Sequence, residues 1–172
     1  HGTSMRIFRR FSYGSLAWFF VLDTRQYRTD QPCGDGPQQP CRAVFDEKAT
    51  LLGAEQERWL VGGFSGSRTR WNVIPQQVMM APVDRVDGPA RVFSMDQWGG
   101  YDANRTRLMK FLSLHRRSNP VVITGDVHSN FVNDLKIDFF DSRSPVVATE
   151  FVGTSMTSGG DRADRLGDYR TG

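Results

Sequence analysis

Two short apolar runs, residues 16–22 (LAWFFVL) and 120–123 (PVVI), break off into polar residues: Asp23 after the first, Thr124-Gly125-Asp126 after the second. Runs this short, rich in aromatic and β-branched side chains, predict buried strands with polar mouths. A third run, residues 146–152 (VVATEFV), predicts another. Alternation predicts further strands over 5–11 (MRIFRRF, half exposed) and 131–139 (FVNDLKIDF). Residues 71–82 (WNVIPQQVMMAP) also fit a strand, with Pro75 at its edge or at a bulge, because proline cannot donate to a ladder.

Helix formers separate these runs. Residues 46–60 predict a helix starting near Leu52. Residues 101–115 predict a second, with Leu108, Phe111 and Leu112 on one face and Asp102 as its cap. Residues 84–98 predict a loop. Strands interleaved with helices give an α/β class protein.

The chain has 172 residues, 38% hydrophobic and 24% charged, enough for one domain with a core and unlike a disordered chain. It contains no apolar run of the roughly 18 residues that a membrane-spanning helix needs. Net charge is +3 with a pI near 9.1, and the arginines are scattered, so no specific nucleic-acid partner is inferred. The ends, residues 1–4 and 161–172, are polar and lack a closing element, which reads as an interior piece of a longer polypeptide. Cys33 and Cys41 lie in a Pro- and Gly-rich loop. That placement favours a disulfide over two free thiols, and over a zinc site, for which no further ligands stand nearby.

The stretch TGDVHSN, residues 124–130, carries the densest chemistry. As a lone motif it is also what an ordinary turn looks like. At the mouth of a buried strand, however, it stands where α/β sheets usually build sites. A carboxylate (Asp126) and an imidazole (His128) two residues apart can reach one metal ion. Asn130 can donate a hydrogen bond to a bound oxyanion or orient His128. Near the end of the first strand, Asp23 is followed by Arg25 and Arg28, whose guanidinium forks suit phosphate or a salt-bridge cluster. Asp96 reads as a helix cap, Trp98 as packing, and His115 as a charge at a helix end; His1 stands at a terminus. The residues after Glu150 supply hydroxyls and glycines. G-x-S-x-G, Walker A and G-x-G-x-x-G motifs are absent, which leaves serine hydrolases, P-loop enzymes and dinucleotide enzymes without support.

LDTRQYRTDQPCGDG, WNVIPQQVMMAP, MDQWGGY, NPVVITGDVHSNFVNDLK and VVATEFVGTSMTSGG, in this order, resemble the PhoD-like alkaline phosphatase/phosphodiesterase family within the calcineurin-like metallophosphatases. The resemblance runs from about residue 5 to residue 160. It implies a sandwich of two mixed β-sheets flanked by helices, with residues 1–172 forming part of a single domain cut at both ends. It implies metal-dependent hydrolysis of phosphomonoesters and phosphodiesters, with iron and calcium as cofactors and Asp126 and His128 as metal ligands. It also implies an exported, extracytoplasmic parent protein. The family's other ligands lie N-terminal to the matched region, so residues 1–172 alone are expected to be inactive. Asn130 and Arg25 are assigned catalytic roles on chemistry and position. A non-catalytic module on the same scaffold, and an unrelated metal-dependent nuclease, remain the alternatives. The oligomeric state is not readable.

Overall fold

The computed structural model describes residues 5–115 and 118–159; His1 lies outside them. It is a mixed α/β structure with a six-stranded sheet ordered β1-β2-β4-β6-β8-β7 and a two-stranded ribbon, β3-β5. The strands are β1 Arg9–Tyr13, β2 Ala17–Val21, β3 Pro37–Gln38, β4 Trp71–Pro75, β5 Phe93–Ser94, β6 Pro120–Thr124, β7 Phe131–Lys136 and β8 Val146–Val152. The helices are α1 Gly53–Ser65 and α2 Asp102–Leu114. Strands β2, β4, β6 and β8 are mutually parallel, and β1 and β7 pair antiparallel at the two edges. All four parallel strands therefore deliver their C-terminal ends to one edge of the sheet.

The sheet alternates as a pleat demands. Phe20, Leu22, Ile74, Val122, Ala148, Val152 and Leu135 enter one core with Leu60 and Phe64 of α1 and Leu108, Met109 and Leu112 of α2. Helix α1 lies close over β2: a Cβ on Gly63 would fall 2.8 Å from the Phe20 ring. The helix runs through Gly62 and Gly63 to Ser65, beyond the predicted end, and that contact is why glycine stands at 63. The predicted burial of LAWFFVL holds on this face, where Phe20 and Leu22 are fully covered, while Leu16 is exposed. On the opposite face of the sheet, Ile123, Phe151 and Val132 form one exposed cross-strand row and Phe11 stacks on Phe19.

Three elements differ from expectation. Strand β4 is shorter than the predicted 71–82 and ends at Pro75. Pro75 is tolerated at its last position, where its carbonyl accepts the Leu22 N–H and only one terminal ladder bond is lost. Strand β1 begins later than predicted, because Phe8 leaves the sheet to pack between Tyr27 and Trp59. Asp102 begins α2 without capping it and accepts hydrogen bonds from Arg105 and Thr106. Cys33 and Cys41 are disulfide-bonded. No helix among the described residues is long and apolar enough to cross a membrane.

Candidate functional site

The turn after β6 is built around an anchor. Val127 is buried in the core, while Asp126 and His128 on either side are exposed. To point both neighbours outward, the backbone adopts left-handed conformations at Asp126 (φ 74°) and His128 (φ 60°). Side chains other than glycine rarely do this, at a cost of about 1–2 kcal/mol each.

Bonds from the end of β8 hold the strained turn. Gly153 N–H donates to the Thr124 carbonyl at 2.9 Å. The Thr154 hydroxyl donates to the His128 carbonyl at 2.7 Å, and Thr154 N–H donates to Asn130 Oδ1 at 2.9 Å. Since a backbone N–H requires an acceptor, the Asn130 amide is fixed with its oxygen inward and its NH2 available to donate outward.

The opposite wall follows β2. Asp23 is buried, and it does not face a ligand. Its carboxylate accepts the N–H groups of Arg25 and Gln26 and the Gln26 side-chain amide, so it shapes the turn that presents Arg25. Gln56 brackets Asp23 from α1, and Gln77 ties Thr24 and the Leu22 carbonyl to the end of β4. Arg25 Nη1 donates to both oxygens of Asp96 at 2.8 Å, while Nη2 lies 3.8 Å from Asp126 Oδ1. Arg28 Nη1 also donates to Asp96. Burial pushes the Asp96 carboxyl up, but the hydrogen bonds from Arg28 and Arg25 outweigh this and hold it below its ordinary value. Asp96 is therefore not the helix cap read from the sequence: it bridges two arginines at the rim of the site.

Beneath the surface, Glu150 is completely buried. It accepts the N–H groups of Met80 and Ala81 at 2.7 and 3.0 Å, the Thr124 hydroxyl at 2.7 Å and the Asn133 amide at 3.1 Å. Gln76 joins Thr124 to this hub and accepts the Trp98 indole N–H at 3.0 Å. Burial raises the Glu150 carboxyl, and the donors around it only partly offset that. Trp98 is packing, as read. His115 packs on Phe111 and Phe64, with Nδ1 at the Phe111 carbonyl, away from the site.

Asp126, His128, Asn130 and Arg25 thus share the C-terminal edge of the sheet. The sequence reading missed Asp96 in its bridging role, and it missed Thr154 and Glu150 as supports. The signal was faint but present: charged or hydroxylated residues at or next to strand ends. Asp126 and His128 offer an anionic oxygen and a nitrogen, donors that suit a hard and a borderline cation respectively. Among the described residues, no group of three or more His, Cys, Asp or Glu side chains converges as a metal cage would require. The pair fits a metal as part of a ligand set.

A model of the PhoD-like phosphatase family matches residues 1–171. The chain is 44% identical over 168 residues to alkaline phosphatase D of Bacillus subtilis (strain 168), covering 98% of this chain and 29% of that protein. A solved structure described as the structure of PhoD superimposes with a TM-score of 0.87 at 43% identity, over 95% of this chain and 31% of that one. The chain thus spans under a third of the length of these two relatives, yet it is matched almost end to end. It belongs to the PhoD-like phosphatase family.

Proposed function

We propose that the intact protein is a metal-dependent phosphoesterase, an alkaline phosphatase/phosphodiesterase, in which this chain supplies one wall of the active site. The observation that carries the reading is the meeting of Arg25 and Asp126. They come from the ends of two parallel strands that are not adjacent, both are part-exposed, and Nη2 stands 3.8 Å from the carboxylate, outside hydrogen-bonding distance. Arg25 closes to full contact with Asp96 but not with Asp126. The Arg25–Asp126 gap leaves a donor and an acceptor free to take up other partners.

In this reading Asp126 and His128 hold metal, the carboxylate suiting either iron or calcium and the imidazole suiting iron rather than calcium. The remaining ligands come from outside these two residues. Bound metal would supply a water of lowered pKa and charge neutralisation for the phosphoryl group. The chain's own residues do the rest. Arg25 Nη2 binds a phosphoryl oxygen, and Arg28 adds positive potential behind it. The Asn130 NH2 donates to an oxygen as negative charge builds up. Thr154 keeps His128 and Asn130 in place. Asp96 holds Arg25 Nη1 so that Nη2 faces the site. The arrangement suits a phosphoester substrate. The Cys33–Cys41 bond supports an extracytoplasmic setting for the parent protein.

The test is turnover of p-nitrophenyl phosphate, its bis ester and DNA by the intact protein, with iron and calcium supplied. Ester turnover abolished by chelation is expected. Selective cleavage of DNA would favour a nuclease. No turnover of any of the three would favour a non-catalytic module.

A further inference from the structure

The disulfide loop is not a free surface staple. It carries β3, and β3 pairs with β5: Pro37 opposes Ser94 and Gln38 opposes Phe93. Just before β3, the Gly36 carbonyl accepts the Met95 N–H at 3.0 Å. Cys33 packs on the small cluster of Val44, Phe93 and Met95, separate from the main core. Behind the same segment, a Cβ on Gly100 would fall 2.2 Å from the Met95 carbonyl, so only glycine lets the chain pass there. Met95 is thus fixed from two sides, and the next residue is Asp96, the carboxylate that Arg25 and Arg28 share.

We propose that Asp96 is a positioning residue that aims Arg25 at the phosphoryl site, and that the Cys33–Cys41 bond sets where Asp96 stands, so that substrate binding is fully developed only in the oxidised protein. The physical route is short. Inside the loop, Cys33, Gly34 and Gly36 all have positive φ, and Cys41 N–H donates to Cys33 Sγ at 3.0 Å. An open chain of this composition has no reason to hold that shape. Without it, the two-residue β3·β5 pairing and the Gly36–Met95 bond lose their platform. Asp96 then drifts, and Arg25 loses the partner that fixes Nη1. Opening the bond takes two electrons and two protons from a dithiol such as dithiothreitol, which closes to its cyclic disulfide and leaves Cys33 and Cys41 as thiols. A protein of this kind would bind phosphoesters weakly in a reducing compartment and tightly after reaching an oxidising one.

The inference rests on the phosphoesterase reading for its catalytic readout and not for its structural one, so the two can fail separately. Hydrogen exchange on the intact protein, oxidised and reduced, tests the structural coupling. Reduction should speed exchange at the Met95 amide, while the β6 amides and the Arg25 and Gln26 amides, which Asp23 holds, remain protected. Unchanged Met95 exchange would overturn the proposal whatever the activity. Steady-state kinetics on bis-p-nitrophenyl phosphate test the consequence. Asp96→Asn and the double variant Cys33→Ser/Cys41→Ser should each raise KM roughly fivefold to tenfold with kcat changed by less than twofold, the size expected for one charge-assisted contact. Combining all three substitutions should be no worse than Asp96→Asn alone, because both act through one residue. Dithiothreitol on the folded wild-type protein should reproduce the double variant, which covers the case where that variant folds poorly. Multiplying effects, or an unchanged KM on reduction, would overturn the proposal. If no form hydrolyses any phosphoester, the functional reading falls and the exchange data still decide the coupling.

Discussion

Glu150 and Asp126 are carboxylates near the C-terminal ends of neighbouring strands, and they have opposite surroundings. Glu150 is completely buried on β8 with two backbone amides, a hydroxyl and a side-chain amide directed at it. Asp126 sits past the end of β6, exposed, in a strained backbone conformation, with an arginine held just out of contact. The difference separates two jobs that a sequence alone would merge. A carboxylate surrounded by donors fixes structure, because its oxygens are already occupied. A carboxylate kept free at a backbone cost is available to a ligand. Glu150 locks Thr124, the residue from which the Asp126 turn departs, so the buried acid holds the platform on which the exposed one stands.

That contrast can be broken by experiment. The largest effect is expected on the exposed side: His128→Ala in the intact protein should lower phosphodiester turnover by about a hundredfold or more, the scale of removing a metal ligand. Its urea unfolding midpoint should barely move, since the His128 ring is exposed. Glu150→Ala should do the reverse. It leaves four buried donors without an acceptor and should cost about 3 kcal/mol in urea unfolding. Thr154→Val should weaken both, by about 1 kcal/mol in stability and severalfold in turnover, and Thr154→Ser, which keeps the hydroxyl, should restore both. The smallest effect concerns Asp96. Its folded pKa is lowered, so its contribution to stability is present above the unfolded value of about 3.9 and is lost as pH falls through the lowered one. Thermal unfolding of wild type should therefore fall more steeply than that of Asp96→Asn in this acidic window.

Much of the fold was legible because hydrophobic period is local. Residues 146–152 and 120–124 form strands as read, and the two predicted helices form close to their expected bounds. The polar ends of residues 16–22 and 120–123 were legible, but their meeting at one sheet edge comes from the parallel pairing of β2, β4 and β6. What failed needed contacts distant in sequence. Residues 76–82 misled because their side chains suit a strand, while Gln76 and Gln77 are taken up by Trp98, Thr124, Thr24 and the Leu22 carbonyl. Asp96 misled because an acid before a helix resembles a cap, while its partners lie 71 and 68 residues away. Thr154 was one hydroxyl in a stretch full of them. Nothing local marked the one that grips His128.

The most direct test is Asp126→Ala in the intact protein, with bis-p-nitrophenyl phosphate turnover and urea unfolding measured on the same preparation with iron and calcium supplied. If the turn is kept for chemistry, turnover falls by about a hundredfold or more while stability stays within about 1 kcal/mol of wild type. Near-normal turnover, or a loss explained by unfolding, would contradict the assignment of Asp126 to the active site.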